Sequence, residues 1–181
     1  MRSRFAVPFA LAVGLALALP AFAAASGAPE PRKSIDLDRF MGRWYEVLRT
    51  PNNAQKNCYA AFQIWTQVSP GKFTIAQACH RDSPTGTEHR VQTGARVLDP
   101  PTNAKFEASF FGGLFHRQYW VLDHADDYGW MIASTADGNY VSVLARRPDL
   151  TPAEVGALTA RVAAFGLDAG RLVLVPSSGG S

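Results

Sequence analysis

The sequence contains no Gly-x-Ser-x-Gly elbow, no His-x-x-x-His pair and no phosphate-cradling glycine loop. Serine hydrolases of the elbow type, helix-borne zinc sites and P-loop nucleotide chemistry are therefore excluded. Its four histidines, His80, His89, His116 and His124, are dispersed, and the one candidate metal or acid–base cluster is His124 with Asp126 and Asp127. Those acids sit in a stretch that reads as a turn, where Asp is favoured for backbone reasons. Charge of one sign is also lacking, with 18 Lys and Arg against 15 Asp and Glu. Such a balance leaves no electrostatic footprint for nucleic acid. Cysteine is limited to Cys58 and Cys79.

The one long apolar run lies at the start. Arg2 and Arg4 precede Phe5 to Leu19, which Pro8 and Gly14 interrupt, and Pro20-Ala21-Phe22-Ala23 supplies small residues. This reads as a secretory signal peptide over residues 1–25, too short for a membrane span. No cysteine stands near the cleavage site to carry a lipid anchor, so the expected product is soluble, periplasmic or secreted. Residues 26–33, rich in Ala, Pro and charge, read as a flexible lead-in, residues 34–176 as one domain and residues 177–181 as a flexible tail.

Within the domain, Asp36-Leu37-Asp38-Arg39-Phe40-Met41 reads as a helical turn with Asp36 as N-cap, and Gly42 ends it before a strand that opens at Trp44. From Cys58 to Val68 apolar residues alternate with polar ones. Ser69-Pro70-Gly71-Lys72 forms a turn, and Phe73, Ile75 and Cys79 alternate on the return. A hairpin pivoting between Val68 and Ser69 sets Ile64 opposite Phe73, Phe62 opposite Ile75, and Cys58 opposite Cys79. In an exported chain this pairing predicts a disulfide, worth about 3 kcal/mol for a loop of this size. The rival reading, a chelate from Cys79 and His80, fails because adjacent strand residues face opposite ways.

Further strands are expected from Arg90, Ala104, Tyr119, Trp130 and Tyr140, giving eight with those at Tyr45, Ala60 and Phe73. Short strands joined by tight turns, Ala136-Asp137-Gly138-Asn139 among them, argue for an all-β, eight-stranded, up-and-down antiparallel barrel that closes to remove its edges. Thr151-Pro152-Ala153-Glu154 opens one C-terminal α-helix with a capping box. Its face of Val155, Leu158, Thr159, Val162 and Phe165 packs on the outside of the barrel, Gly166 stops it, and Arg171 to Val175 returns as a last strand.

An eight-stranded barrel has room for one small ligand. Alternation points Phe62, Ile64, Phe73, Ile75, Val91, Thr93, Ala95, Val97, Phe106, Ala108, Phe110, Tyr119 and Val121 inward. Glu46 shares the inward parity of Trp44, and a buried carboxylate needs a partner, such as a tyrosine or a ligand head group. The apolar connection Phe111-Gly112-Gly113-Leu114-Phe115 either tucks back on the fold or stands at the pocket mouth, and a protein-binding role is open to it.

Four stretches in order carry a family resemblance. Gly42-Arg43-Trp44-Tyr45-Glu46 resembles the first lipocalin signature. Leu98 to Lys105 running into Phe106-Glu107-Ala108-Ser109-Phe110-Phe111-Gly112 resembles the bacterial, apolipoprotein-D-like branch. Tyr119-Trp120-Val121-Leu122-Asp123 is similar to the second signature, and Leu144-Ala145-Arg146-Arg147-Pro148 to the third. The resemblance covers residues 34–176 and implies that Arg146 lies across Trp44 at the closed end of the barrel, a structural role shared with Gly42. It also implies a non-enzymatic carrier of a small apolar ligand, a fatty acid or lysophospholipid, working in envelope lipid transport or maintenance. The expected form is a monomer or weak dimer, without cofactor or metal, in transient contact with the envelope membrane. Ser142 stands where relatives carry a large aromatic, which widens the pocket or adds a polar contact. The competing expectations are an isomerase- or de-epoxidase-like enzyme on the same barrel, needing an acid–base pair in the cavity, and a tetrapyrrole carrier with His116 as axial ligand.

Overall fold

The computed structural model describes residues 27–177. The stretch read as a signal peptide and the last four residues, 178–181, lie outside them. A helical turn, α1 (Leu37–Phe40), leads into β1 (Gly42–Arg49), and Asp36 caps it by accepting from the amides of Asp38 and Arg39. Seven strands follow: β2 (Cys58–Ser69), β3 (Lys72–Arg81), β4 (Glu88–Val97), β5 (Lys105–Phe110), β6 (Phe115–His124), β7 (Trp130–Thr135) and β8 (Val141–Ala145). Each pairs antiparallel with the next, and β1 pairs with both β2 and β8, which closes the barrel. The helix α2 (Pro152–Ala164) has the Thr151/Glu154 capping box, and a short β9 (Val173–Leu174) adds to the outside of β1.

Two apolar layers follow from strand alternation. On β8, Val141, Val143 and Ala145 join Leu158 and Val162 of α2 in an outer layer, whereas Leu144 faces the barrel interior. The inner layer closes one end: Phe40 of α1 enters the barrel and meets Trp65 at 5.1 Å and Phe106 at 5.7 Å between ring centroids, with Phe73 behind them. Ala95 and Val97 pack on this plug. Their small size accommodates aromatic rings at the closed end and leaves the open volume farther up, towards β5–β8.

The β2–β3 hairpin differs from its expected register. Phe62 lies opposite Ala78 rather than Ile75, and Ile64 opposite Ala76 rather than Phe73. The shift is three residues, and an odd shift exchanges the two faces of a strand. Ala60, at a φ of 44°, sits in the irregularity between Tyr59 and Phe62 that sets this register. The disulfide nonetheless joins Cys58 to Cys79 with Cα atoms 5.4 Å apart. Cys58 is opposite Arg81, so Cys79 is its diagonal neighbour on the same face, still within reach.

The stretch read as a flexible lead-in is held along the barrel from residue 27 to residue 33. The Ala28 amide donates to the Ala136 carbonyl at 3.0 Å, Glu30 pairs with Lys105, and Lys33 reaches Asp126 and the His124 carbonyl. Glu30 and Lys33 thus find partners on the barrel, which composition does not register.

Candidate ligand-binding site

Above the aromatic plug the barrel encloses a cavity of about 590 Å³ that opens between the loops at the far end. Trp65, Phe40, Phe106, Met131 and Leu144 line its lower part, while Ile75, Ala108, Val121 and Ala133 contribute aliphatic wall. The β1–β2 loop lies over one side of the mouth through Pro51, Asn52, Ala54 and Gln55, and Phe110 and Phe115 form the other side. Phe110 and Phe115 are the last opposed pair of the β5–β6 hairpin.

Seven of the expected inward residues line this cavity: Ile75, Phe106, Ala108, Phe110, Tyr119, Val121 and Ser142. Phe73, Ala95 and Val97 face inward but belong to the plug. Thr93 is buried between β3 and β4, its hydroxyl 3.4 Å from the Ile75 carbonyl. Val91 is exposed, near the open end of β4. Phe62 and Ile64 are displaced by the register shift: Phe62 packs under the Arg43 guanidinium at 4.2 Å and beside Tyr45. Gln63 and Trp65 take their place on the wall.

Glu46 is the polar centre of the β1–β8 side. Its Oε1 accepts from the Tyr140 hydroxyl at 2.6 Å and the Ser142 hydroxyl at 2.8 Å, and its Oε2 from Arg49 and Gln55, both at 2.9 Å. Arg49 also donates to the carbonyls of Gln55 and Cys58. Four donors on one carboxylate satisfy its acceptor capacity, so its burial is compensated. Burial, and then the Glu46 charge, push the Tyr140 hydroxyl well above its ordinary value of 10.0. The network fixes the β1–β2 loop over the cavity, and it explains Ser142, whose small hydroxyl fits beneath Glu46 where an aromatic ring would not. On the opposite wall burial raises the Tyr119 hydroxyl, an effect that the neighbouring Arg117 counteracts.

The other expected centres are structural or face away. Both ring nitrogens of His124 face backbone carbonyls, Ala125 at 2.8 Å and Ser34 at 3.1 Å, and its ring stacks on Tyr128. Among the described residues no group of His, Cys, Asp and Glu is arranged to hold a metal. His116 pairs with Glu107 at 3.6 Å on the outward face of the β5–β6 hairpin and does not line the cavity, so it is not placed as an axial ligand. At the closed end the Arg146 guanidinium lies 3.7 Å from the Trp44 ring centroid, and Gly42, at a φ of 95°, leaves room beside it.

Sequence reading missed Arg117 and left Phe115 in a connection that only one of its two readings put at the mouth; it also missed Met131, Ala133 and Tyr140 as site residues. The first two belong to β6, which begins at Phe115 rather than Tyr119, and carrying the parity of Tyr119 and Val121 backwards would have found both. Met131 and Ala133 alternate on β7 in the same way.

Comparison with known proteins agrees with this architecture. Mouse apolipoprotein D is 26% identical over 147 residues, covering 77% of this chain and 76% of its own. The outer membrane lipoprotein Blc of Escherichia coli is 22% identical over 175 residues, covering 89% and 98%. Among solved structures, insecticyanin from the tobacco hornworm superposes with a TM-score of 0.65 at 16% identity, over 84% of this chain and 87% of its own. The family model of the lipocalin-like domain matches residues 35–177, most of the chain, and this protein belongs to the lipocalin family.

Proposed function

We propose that the barrel carries or stores one single-chain amphiphile of the fatty-acid or lysophospholipid class, without catalysis, in an envelope compartment outside the cytoplasm. The observation that carries this reading is the cavity itself, open at one end, aromatic at its floor and aliphatic along its walls. Burying an acyl chain there contributes about 25 cal/mol for each Å² removed from water. The Cys58–Cys79 disulfide fits an oxidising compartment, periplasmic or extracellular. Glu46, with all its acceptor positions engaged, is a scaffold group and not a free general base.

Transfer to and from lipid is assigned to the tip between β5 and β6. Phe111, Leu114 and Phe115 are 86%, 83% and 67% exposed. Phe111, Gly112 and Gly113 all have positive φ, which turns the chain tightly and holds the apolar side chains outward beside the mouth. Replacing Phe111, Leu114 and Phe115 by serine is expected to abolish co-flotation with phosphatidylethanolamine–phosphatidylglycerol vesicles while leaving the melting temperature unchanged. Undiminished flotation would remove this assignment.

The deciding experiment for the cavity is native mass spectrometry of protein from its own compartment, with organic extraction of what travels with it. A stoichiometric acyl lipid supports the carrier reading. A barrel that is empty and also refuses a fluorescent fatty acid sinks it.

A further inference from the structure

Arg117 is the only charged side chain among the residues lining the cavity. The other polar groups there are amides, hydroxyls and the Trp65 indole N–H, which donates to Gln63. It takes part in no ion pair among the described residues. Two carboxylates lie near it, Glu46 on β1 and Asp137 in the β7–β8 turn, and both accept hydrogen bonds from other groups. Glu46 is held by four donors, and Asp137 accepts from the Thr135 hydroxyl and the Asn139 amide. The field of the guanidinium reaches Asp137, whose carboxyl it helps to lower, and the Tyr119 hydroxyl, but among the described residues no carboxylate is paired with it.

Position matters as much as charge. Phe110 and Phe115 form the outermost pair of the hairpin, and Arg117, opposite Ala108, stands one inward-facing step below them. Tyr119 and then Val121 follow on the same face, each about 6–7 Å deeper. Along β6 the lining therefore grades from aromatic rim through one cation and one phenol to Val121 above the aromatic floor, while Gln63, Gln77, Tyr140 and Ser142 stand on the other walls. That order matches, end to end, a molecule with an anionic head and a hydrocarbon tail. Arg117 is largely exposed, so an ion pair formed there keeps part of its water and avoids the desolvation that burdens buried pairs. A guanidinium presents paired N–H donors in the plane that a carboxylate or phosphate ester accepts.

We infer that Arg117, with the Tyr119 hydroxyl as second donor, is the head-group site of this cavity, receiving the anionic oxygens of a single-chain amphiphile while its tail points to the Trp65–Phe106 floor. The inference rests on the carrier reading above and adds to it a sign of charge and an orientation. Neutral and cationic amphiphiles of the same chain length are accordingly weaker ligands.

The test is calorimetric titration of the mature protein with dodecanoate, dodecyl phosphate and 1-dodecanol, repeated with Arg117→Gln and Arg117→Lys. Wild type is expected to bind both anions about tenfold more tightly than the alcohol at low ionic strength. Arg117→Gln brings the three ligands level, and Arg117→Lys keeps part of the preference. Inorganic phosphate at millimolar concentration leaves dodecanoate binding unchanged, since the tail supplies most of the affinity; displacement by phosphate would make this a free-anion site and overturn the amphiphile assignment. Equal binding of acid and alcohol by wild type, or an anion preference that survives Arg117→Gln, overturns the inference and leaves the carrier reading standing. Failure of all three ligands to bind removes both.

Discussion

The guanidinium of Arg146 lies flat against the indole of Trp44, 3.7 Å from its ring centroid, and bridges three backbone carbonyls at the closed end of the barrel, those of Arg39, Phe40 and Arg43. Trp44 is itself fully buried and donates its indole N–H to the Phe40 carbonyl at 2.9 Å. The pair thus caps the orphan carbonyls of α1 and fixes Phe40 in the plug. Trp44→Ala is expected to cost about 3–5 kcal/mol through the cavity it leaves. At about 2–4 °C per kcal/mol for a domain of this size, the melting temperature falls by at least roughly 6 °C. Arg146→Ala costs less, about 2 kcal/mol, from the lost cation–π contact and carbonyl bridges. An unchanged melt in Trp44→Ala would show that the closed end is held by other contacts.

Glu46 and Arg49 form an ion pair whose side chains are 3% and 9% exposed. Removing either alone strands the other, at a cost of about 3–5 kcal/mol, whereas removing both costs less than the sum. Chemical denaturation of Glu46→Ala, Arg49→Ala and the double variant gives the coupling. Additive losses would mean that the pair does not act as a unit. Because Arg49 holds the Gln55 and Cys58 carbonyls, proteolysis within residues 50–57 is expected to speed up in both single variants.

The disulfide bridges residues separated by 21 positions and packs with Ala61 and Val175. The chain-entropy model gives about 3 kcal/mol for a loop of this length. Reduction, or replacement of both cysteines by alanine, is expected to lower stability by about that amount without changing the fold. Loss of less than roughly 0.5 kcal/mol would show that the β2–β3 ladder already restrains the unfolded chain.

The strand sequence and the helix were legible because each rests on local chemistry, alternation, turn residues and a capping box, whereas the cysteine pairing came out right although the register behind it was shifted. Phe62 and Ile64 were misplaced for a reason alternation cannot reveal. Their face of β2 is also covered, with Arg43, Tyr45 and Val175 on or beside it, so both faces look apolar and one bulge at Ala60 decides which is inside. Arg117 was hidden differently. The glycines before it read as a long loop, yet only four residues, Phe111–Leu114, separate the strands. A charged residue on an inward-facing position then carries no signal in a hydrophobicity pattern, although it is the most informative residue in the site.

The helix cap gives a pH-dependent prediction. Arg147, together with the Thr151 amide and hydroxyl, holds the Glu154 carboxyl at about 2, against an ordinary value of 4.5. The folded state therefore binds this proton more weakly than the unfolded chain, so Glu154 stabilises the fold fully above pH 4.5 and progressively less as pH falls towards 2. Melting curves across that window are expected to fall more steeply for wild type than for Glu154→Gln. Parallel curves would assign acid sensitivity to other carboxylates.

Filling the cavity separates binding from stability more cleanly than emptying it. Ala133 is opposite Ser142 on one side and Val121 on the other, and it lines the cavity at the edge of the inner apolar layer. Ala133→Phe places a ring where ligand would lie, buries additional apolar surface and strains no existing contact. Uptake of a fluorescent fatty acid is expected to weaken at least tenfold while the melting temperature stays level or rises. A melting temperature that falls together with binding would mean that the β7 wall is already packed to capacity. Undiminished uptake in a stable variant would place the ligand outside the barrel, most simply at the exposed tip formed by Phe111 and Leu114.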